Sequence, residues 1–260
     1  MPIISVFMSY SIRESYFSPM VSSGELCKSN LHAVVYHACN FQCDFCSIKF
    51  RNSSEFIEYS EDEFVFTVSQ LLRSGQTFKF TGGEPTLNPN LRRDLTIVKD
   101  LGGIVFLDTN GSRPQIINQL LDLKLIDVLG ISLKGFTRDE SCRIAHCNNS
   151  ALCWDNVLES IRLGSDYSIR TIVTHVFDVN TRYEDMLCFS ELFKGNSNIY
   201  LKINNLLFDT HNKEDLHPLQ EHSLEKMVEQ LLYDYPEWKG RLILVSNEKA
   251  ITNHDEIKFY

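Results

Sequence analysis

The sequence predicts an α/β fold built as a partial (β/α)6 barrel, and three observations support this prediction. From residue 33 onward, short runs rich in β-branched and aromatic residues alternate with amphipathic helical segments, a pattern typical of a parallel sheet. About six such β/α units follow one another without an internal repeat, a low-complexity segment or a linker. The polar and glycine-rich motifs all fall where strands end, and barrels carry their chemistry at that end of the strands.

The length and composition fit one globular domain without a nucleic-acid partner. The 260 residues are 43% hydrophobic and 23% charged, as in ordinary globular proteins. We expect a single domain over residues 1–260, with a core at about 31–207, an N-terminal extension at 1–30 and a C-terminal helix and strand at 208–260. The net charge of −9 argues against a broad phosphate-binding surface.

Residues 1–30 do not combine a charged start with a long apolar run, so we expect neither a secretory signal nor a membrane span. The predicted location is therefore the cytoplasm. In a cytoplasmic chain, the eight cysteines are better interpreted as thiols and metal ligands than as a disulfide framework.

Each predicted element follows from a local pattern. Ser60 and Glu63 form a capping box that begins the first helix, which continues towards Gly75. The later strands are predicted at 77–81, 104–107, 128–133, 169–174, 199–203 and 242–245. The later helices are predicted from 91 to the glycine pair at 102–103, at 112–121 with Pro114 in the first turn, at 154–161 ended by Gly164, at 181–194, and at 224–232 before Pro236.

Three cysteines with C-x3-C-x2-C spacing, Cys39, Cys43 and Cys46, come directly after the first apolar run at 33–36. A four-iron cluster normally takes one thiolate per iron, so three thiolates would leave one iron open. Two alternatives stay open at this point. Zinc sites also use cysteines, usually in two C-x2-C pairs, and a free cysteine packs as a small hydrophobe.

This spacing resembles that of the radical S-adenosylmethionine (SAM) enzymes, and the resemblance covers roughly residues 31–180. It implies that Cys39, Cys43 and Cys46 hold a [4Fe–4S] cluster whose open iron is chelated by SAM. It also implies that the reduced cluster cleaves SAM to methionine and a 5′-deoxyadenosyl radical, on a partial (β/α)6 barrel of the radical SAM type.

The turn at 82–85 ends the second predicted strand and matches the G-G-E-P motif of that family. By this resemblance, Gly82, Gly83, Glu84 and Pro85 bind the amino group of SAM. Phe45, which precedes the third cysteine, matches the aromatic position beside the adenine. Without this context the turn would be ordinary strand-to-helix turn chemistry.

The D-T-N-G motif, Asp108, Thr109, Asn110 and Gly111, resembles the activases of pyruvate formate-lyase and anaerobic ribonucleotide reductase. In that subgroup two aspartates help to hold a monovalent cation beside the SAM carboxylate, and a lysine contacts the cofactor. The lysine corresponds to Lys134, but Ser132 stands at the place of the second aspartate. Further along, His211 corresponds to a histidine near SAM in those enzymes.

The resemblance implies a function and partners. We expect activase-like hydrogen abstraction, forming a glycyl radical on a partner enzyme, with modification of a peptide or small biosynthetic substrate as the alternative. A non-catalytic zinc or iron–sulfur module is the third option. Residues 47–81 contain no cysteine and the C-terminus has no cysteine pairs, so we expect a flavodoxin or ferredoxin to supply electrons.

Cys142, Cys147 and Cys153 form a second trio, with C-x4-C-x5-C spacing. This spacing lacks the C-x2-C pair common in clusters, and Cys153 begins a helix whose apolar neighbours indicate a core position. We therefore expect one cluster per chain.

Overall fold

The computed structural model describes residues 10–22, 25–46, 59–72, 77–205, 217–245 and 257–260. The strands are β1 (Tyr10–Ser22), β2 (Glu25–Tyr36), β3 (Thr77–Gly82), β4 (Ile104–Thr109), β5 (Val128–Ser132), β6 (Arg170–Phe177), β7 (Ile199–Asn205), β8 (Leu242–Val245) and β9 (Ile257–Phe259). The helices are α1 (Glu61–Leu71), α2 (Leu91–Asp100), α3 (Pro114–Asp122), α4 (Arg138–Ala145), α5 (Asn156–Asp166), α6 (Tyr183–Phe193) and α7 (Glu221–Asp234). No helix among these residues is long and apolar enough to cross a membrane.

The described strands form one sheet in which spatial order follows chain order from β1 to β9. Strands β2 to β8 run parallel, with Val34 opposite Phe80 and Phe80 opposite Leu107. The first and last strands pair antiparallel with their neighbours. Six strands, β2 to β7, are each followed by a helix, which confirms the predicted α/β fold and agrees with a partial barrel.

The two faces of the sheet have different partners. Residues such as Val34, Phe80 and Leu107 pack with helix residues, including Phe64 and Ile117, in the larger apolar core. On the opposite face, a smaller cluster consists only of strand residues: Leu31, Phe106, Val128, Ile172, Tyr200, Ile243 and Val245. Because side chains alternate along a strand, this second face continues toward the strand ends with the residues that form the site.

Three features differ from the sequence predictions. Helix α4 was not predicted, because it buries only Ser141 and Ala145 and so has almost no apolar stripe. Gly164 does not end α5, which continues to Asp166. A Cβ atom at Gly164 would lie 2.1 Å from Thr171 Oγ1, so the glycine permits the helix to approach β6 closely. Strands β1 and β9 were also not predicted.

Candidate active site

A cavity of about 240 Å³ lies at the carboxyl ends of the parallel strands. Each of β3 to β7 contributes at least one residue at or near its end, and the loop after β2 contributes the cysteines. The lining residues are Cys39, Phe41, Cys43, Phe45, Cys46, Thr81, Gly82, Gly83, Asp108, Thr109, Asn110, Ser132, Lys134, Val176, Asn204 and Asn205. The fold therefore brings most of the predicted site residues to one place.

The loop with the three cysteines is fixed by backbone hydrogen bonds. Gln42 N–H donates to the carbonyl of Ala145 at 3.0 Å, which attaches the loop to the end of α4. Cys46 N–H donates to the carbonyl of Cys43 at 3.2 Å and forms the turn between the second and third cysteines. Cys43 is buried and Cys39 is exposed to the cavity.

The thiol of Cys39 is held in its protonated form. The protein around it raises the pKa of Cys39 to about 11 by desolvation, although the N–H of Phe41 acts in the opposite direction at 3.4 Å. Metal ligation requires the thiolate, and a bound metal centre releases the proton. Cys39 is therefore a thiol in the metal-free protein and would lose its proton only on binding a metal centre.

The turn at 82–85 lies directly against the cysteine loop. Gly83 N–H donates to the carbonyl of Tyr36 at 2.7 Å, and Glu84 N–H donates to the carbonyl of Ala38 at 2.7 Å. Gly82 has a φ of +110°, and a Cβ atom there would lie 2.4 Å from the Tyr36 carbonyl oxygen. Only glycine fits this approach, so the motif joins the two loops through their backbones.

Glu84 is buried and does not line the cavity. Its Oε1 accepts hydrogen bonds from the N–H and hydroxyl of Thr86 at 3.0 and 2.5 Å and from the Thr109 hydroxyl at 2.6 Å. Its Oε2 accepts from the N–H of Asn110 at 2.6 Å. Burial raises the pKa of Glu84 despite these bonds. Pro85 is also buried, in the short 3₁₀ turn Pro85–Leu87.

Asn110 connects the loop after β4 to the cysteine loop. Its Nδ2 donates to Asn40 Oδ1 at 2.8 Å and lies 3.9 Å from Cys39 Sγ. Asn40 in turn donates to the Ser112 hydroxyl at 2.9 Å. Two loops that contribute to the cavity are thus fixed to each other by amide and hydroxyl side chains.

Asp108 is paired with a lysine that the sequence analysis did not select. Lys79 Nζ lies 2.8 Å from Asp108 Oδ2, and the Thr81 hydroxyl donates to the same oxygen at 3.1 Å. Burial alone would raise the pKa of Asp108, but the charges of Lys79 and Lys202 outweigh it and lower the pKa. Asp108 is therefore a carboxylate at neutral pH.

A second cavity of about 170 Å³ adjoins the first. The two share Phe45, Asp108, Ser132, Lys134, Val176 and Asn204, and the second also contacts Lys79, Leu133, Thr174 and Lys202. Lys134 Nζ lies 5.5 Å from the centre of the Phe45 ring, within the range of a cation–π contact. The site therefore extends beyond the motif residues onto the inner face of the sheet, which is the face opposite the helices.

Sequence reasoning missed the residues of that inner face, above all Lys79, Thr174, Lys202 and Asn204. The signal that would have found them is the two-residue alternation of β3, β6 and β7, in which polar side chains interrupt apolar runs. His211 lies outside the described residues, so its role stays a prediction.

The second cysteine trio lies beside the cysteine loop. Cys142, Cys147 and Cys153 belong to the same apolar cluster as Cys43. The Sγ atoms of Cys142 and Cys153 are 2.8 Å apart. Cys153 is buried and Cys142 is half-buried, so both free thiols pack within this apolar cluster.

In the part of the chain that the structure describes, no three Cys, His, Asp or Glu side chains are grouped to hold a single metal ion. Cys39, Cys43 and Cys46 instead line the wall of one cavity, with polar groups beside them. Three thiols on a cavity wall fit the donor set of a four-iron cluster with one open iron.

Comparison with known proteins identifies the family. The Radical SAM superfamily profile matches residues 33–187. A probable GTP 3′,8-cyclase of Saccharolobus solfataricus is 29% identical over 229 residues, which cover 84% of this chain and 71% of the relative. A putative glycyl-radical enzyme activating enzyme of Methanocaldococcus jannaschii is 26% identical over 138 residues, 51% of each chain.

Two solved structures share the fold. Streptococcus suis SuiB bound to S-adenosylmethionine has a TM-score of 0.62 at 14% identity, covering 82% of this chain and 48% of SuiB. TYW1 with a lysine-pyruvate adduct bound has a TM-score of 0.56 at 19% identity, covering 78% of this chain and 73% of TYW1. The chain thus spans about half the length of SuiB. It belongs to the radical SAM superfamily, whose enzymes cleave S-adenosylmethionine at a [4Fe–4S] cluster.

Proposed function

We propose that this radical SAM enzyme acts on a small molecule bound inside the barrel. The observation that carries the proposal is the second cavity, which continues from the cysteine-lined cavity onto the inner face of the sheet. Ligand sites of this kind are concave and combine apolar walls with a few placed polar groups. The described inner face offers such groups on β3, β4, β6 and β7.

The cofactor would occupy the outer cavity. Cys39, Cys43 and Cys46 would hold the [4Fe–4S] cluster, which, when reduced, supplies the electron that cleaves SAM. Phe45 would contact the adenine, and the backbone of Gly82 and Gly83 would bind the amino group. Lys134, beside Phe45, would contact the cofactor. Ser132 lines both cavities.

Glu84 would act as a positioning residue. Its four accepted hydrogen bonds hold the 3₁₀ turn and the loop after β4, so Thr109 and Asn110 reach the cavity wall because Glu84 fixes them. Pro85 would stiffen the same turn, since its φ is already suited to a first helical position.

Asp108 would not hold a monovalent cation in this chain. The resemblance to the activases predicts two aspartates around that ion, but Ser132 replaces one. The ammonium of Lys79 lies 2.8 Å from the other. A lysine ammonium supplies the same single positive charge. We infer that Lys79 takes the cation's place beside Asp108.

The similarity to probable GTP 3′,8-cyclases supports a small substrate, because that match covers 84% of this chain. Glycyl-radical formation on a partner enzyme is the second candidate. The D-T-N-G motif and the similarity to the putative activating enzyme favour it, but that match covers 51% of the chain. Electron supply by a flavodoxin or ferredoxin and a cytoplasmic location stay predictions.

The test is anaerobic reconstitution with iron and sulfide, followed by reduction in the presence of SAM. We expect 5′-deoxyadenosine, and we expect its rate of formation to rise with the small-molecule ultrafiltrate of a cell extract. GTP is the first pure compound to add. A rise only with the protein fraction, together with a glycyl-radical signal in electron paramagnetic resonance, would favour the second candidate.

A further inference from the structure

The inner cavity has an excess of positive charge. Three lysines line it, Lys79, Lys134 and Lys202, and Asp108 is the only acidic residue among the described lining residues. The chain as a whole has a net charge of −9, so this local excess runs against the overall composition. Charged groups are costly to bury unless they are paired, so a buried lysine either loses its proton or gains an anionic partner, and a ligand that enters this cavity can supply that partner.

Two of the three lysines already have assigned partners. Lys79 forms the ion pair with Asp108 at 2.8 Å, and it also lies 4.8 Å from the centre of the Phe106 ring. Lys134 lies beside Phe45 at the entrance, where the proposed cofactor would contact it. The side chain of Lys202, on β7, forms no ion pair or hydrogen bond with any described residue, although its backbone belongs to the sheet.

Asp108 is the one negative charge beside Lys202 among the described lining residues, and it is already paired with Lys79. Burial first, and the positive charge of Lys79 second, lower the pKa of Lys202 to about 7, while Asp108 acts in the opposite direction. The nearest groups on β5 and β6, Ser132 and Thr174, carry no charge. A single aspartate thus lies near two lysines, and only Lys79 forms an ion pair with it.

Asn204 adds an independent observation. It is the next residue on the same face of β7, and its Oδ1 is buried without a hydrogen-bond partner in the described part of the chain. A buried polar atom without a partner costs about 1–3 kcal/mol. The oxygen and nitrogen of an amide exchange by a simple flip, so this side chain can donate an N–H to a ligand.

We propose that Lys202 and Asn204 bind an anionic group of the substrate, a carboxylate or a phosphate, on the inner face of the sheet. This inference rests on the proposed small-molecule function and names the chemical class of its substrate. The lysine ammonium and the amide N–H lie two residues apart on the same face of the strand, so both can donate hydrogen bonds to one oxyanion. The cofactor above and the apolar cluster around Tyr200 below would enclose the substrate.

The experiment is equilibrium dialysis of radiolabelled inorganic phosphate and, separately, acetate against the reconstituted protein saturated with SAM. We expect one equivalent of phosphate or acetate to bind, and the tighter of the two identifies the anion type. Lys202→Met should weaken that binding at least about tenfold, and Lys202→Arg should retain it, because only the first removes the charge. Asn204→Asp should also abolish it, by repulsion.

Lys194→Met is the matched control, because this exposed lysine directly after α6 forms only a long surface ion pair with Glu191, at 3.9 Å. Its binding should equal that of the wild type. Equal binding by Lys202→Met, or no binding of either anion to the wild type, would overturn the inference. Iron content and 5′-deoxyadenosine formation are measured on each protein. Cleavage without anion binding would reject this inference alone, whereas absence of cleavage in the wild type would reject the proposed function.

Discussion

The carboxylate of Glu84 accepts a 2.6 Å hydrogen bond from the backbone N–H of Asn110. This bond joins the turn after β3 to the loop after β4, and Asn110 in turn reaches the cysteine loop through Asn40. Glu84, which was predicted to contact the cofactor, is therefore not itself part of the cavity lining.

Glu84→Gln tests this positioning role. The amide places an N–H against the N–H of Thr86 or Asn110, so at least one buried hydrogen bond is lost, at a cost of about 1–3 kcal/mol of stability. We expect weaker SAM binding with full iron content, measured by calorimetry and iron analysis. Glu191→Gln on the exposed side of α6 serves as the control. Unchanged SAM affinity in Glu84→Gln would contradict the role.

Asp108→Ala should weaken SAM binding and cleavage while iron content stays intact. The change leaves Lys79 buried without its carboxylate, and removing one partner of a buried pair costs about 3–5 kcal/mol. We expect an increase in the Kd for SAM of roughly tenfold or more, equivalent to about 1.4 kcal/mol. Loss of iron instead would make Asp108 a residue that supports the cluster loop.

The Lys79–Asp108 pair also predicts the response to monovalent cations. Because the ammonium already lies against the carboxylate, exchanging potassium for tetramethylammonium should leave the rate of 5′-deoxyadenosine formation unchanged. A clear loss of rate on removing potassium, restored by adding it back, would show that an ion still binds beside Asp108.

The second cysteine trio is predicted to hold no cluster. Replacing Cys142, Cys147 and Cys153 together by alanine should leave on the order of four irons per chain and the same visible spectrum, as one four-iron centre requires. All three are free thiols, and Cys153 is buried among apolar side chains. A count near eight irons that falls to near four in the triple variant would require a second cluster.

His175 gives a pH dependence of stability. Burial lowers its pKa to about 4, although its hydrogen bond with the Leu133 carbonyl acts in the opposite direction. The unfolded chain takes up this proton near pH 6.5 and the native protein does not, so the contribution is complete above pH 6.5 and declines as pH falls towards 4. Between pH 7 and pH 5, the free energy of unfolding should fall by roughly 2 kcal/mol less in His175→Gln than in the wild type, as measured by urea unfolding. Equal losses would contradict the buried neutral imidazole.

The sequence predicted the parallel strands because short runs rich in β-branched and aromatic residues alternate with helical patterns, and it predicted the first helix because Ser60 and Glu63 do form the capping box. It missed α4, whose position depends on contacts such as the one between Ala145 and the cysteine loop. It wrongly predicted that Gly164 ends the helix. The glycine is needed because the helix approaches Thr171 closely, and from the sequence alone such a glycine cannot be told from a helix stop signal.

The site likewise contains residues that local sequence patterns reveal and residues that only the folded chain brings together. The motif residues Cys39, Asp108 and Lys134 are recognisable in the sequence, and the fold brings them to one cavity. Lys79 and Lys202 are more than a hundred positions apart, so only the sheet places them on the same inner face. The direction of Glu84, away from the cavity, likewise depends on partners in another loop.

The most direct test of the central claim is 5′-deoxyadenosine formation by the reconstituted, reduced wild type and by Cys43→Ala, measured side by side with iron content. If Cys39, Cys43 and Cys46 hold the cluster that cleaves SAM, the wild type forms 5′-deoxyadenosine, and Cys43→Ala loses the brown colour and the cleavage together. The exposed cysteine of α6, Cys188, supplies the control, and Cys188→Ala should match the wild type. Full cleavage by Cys43→Ala would contradict the account.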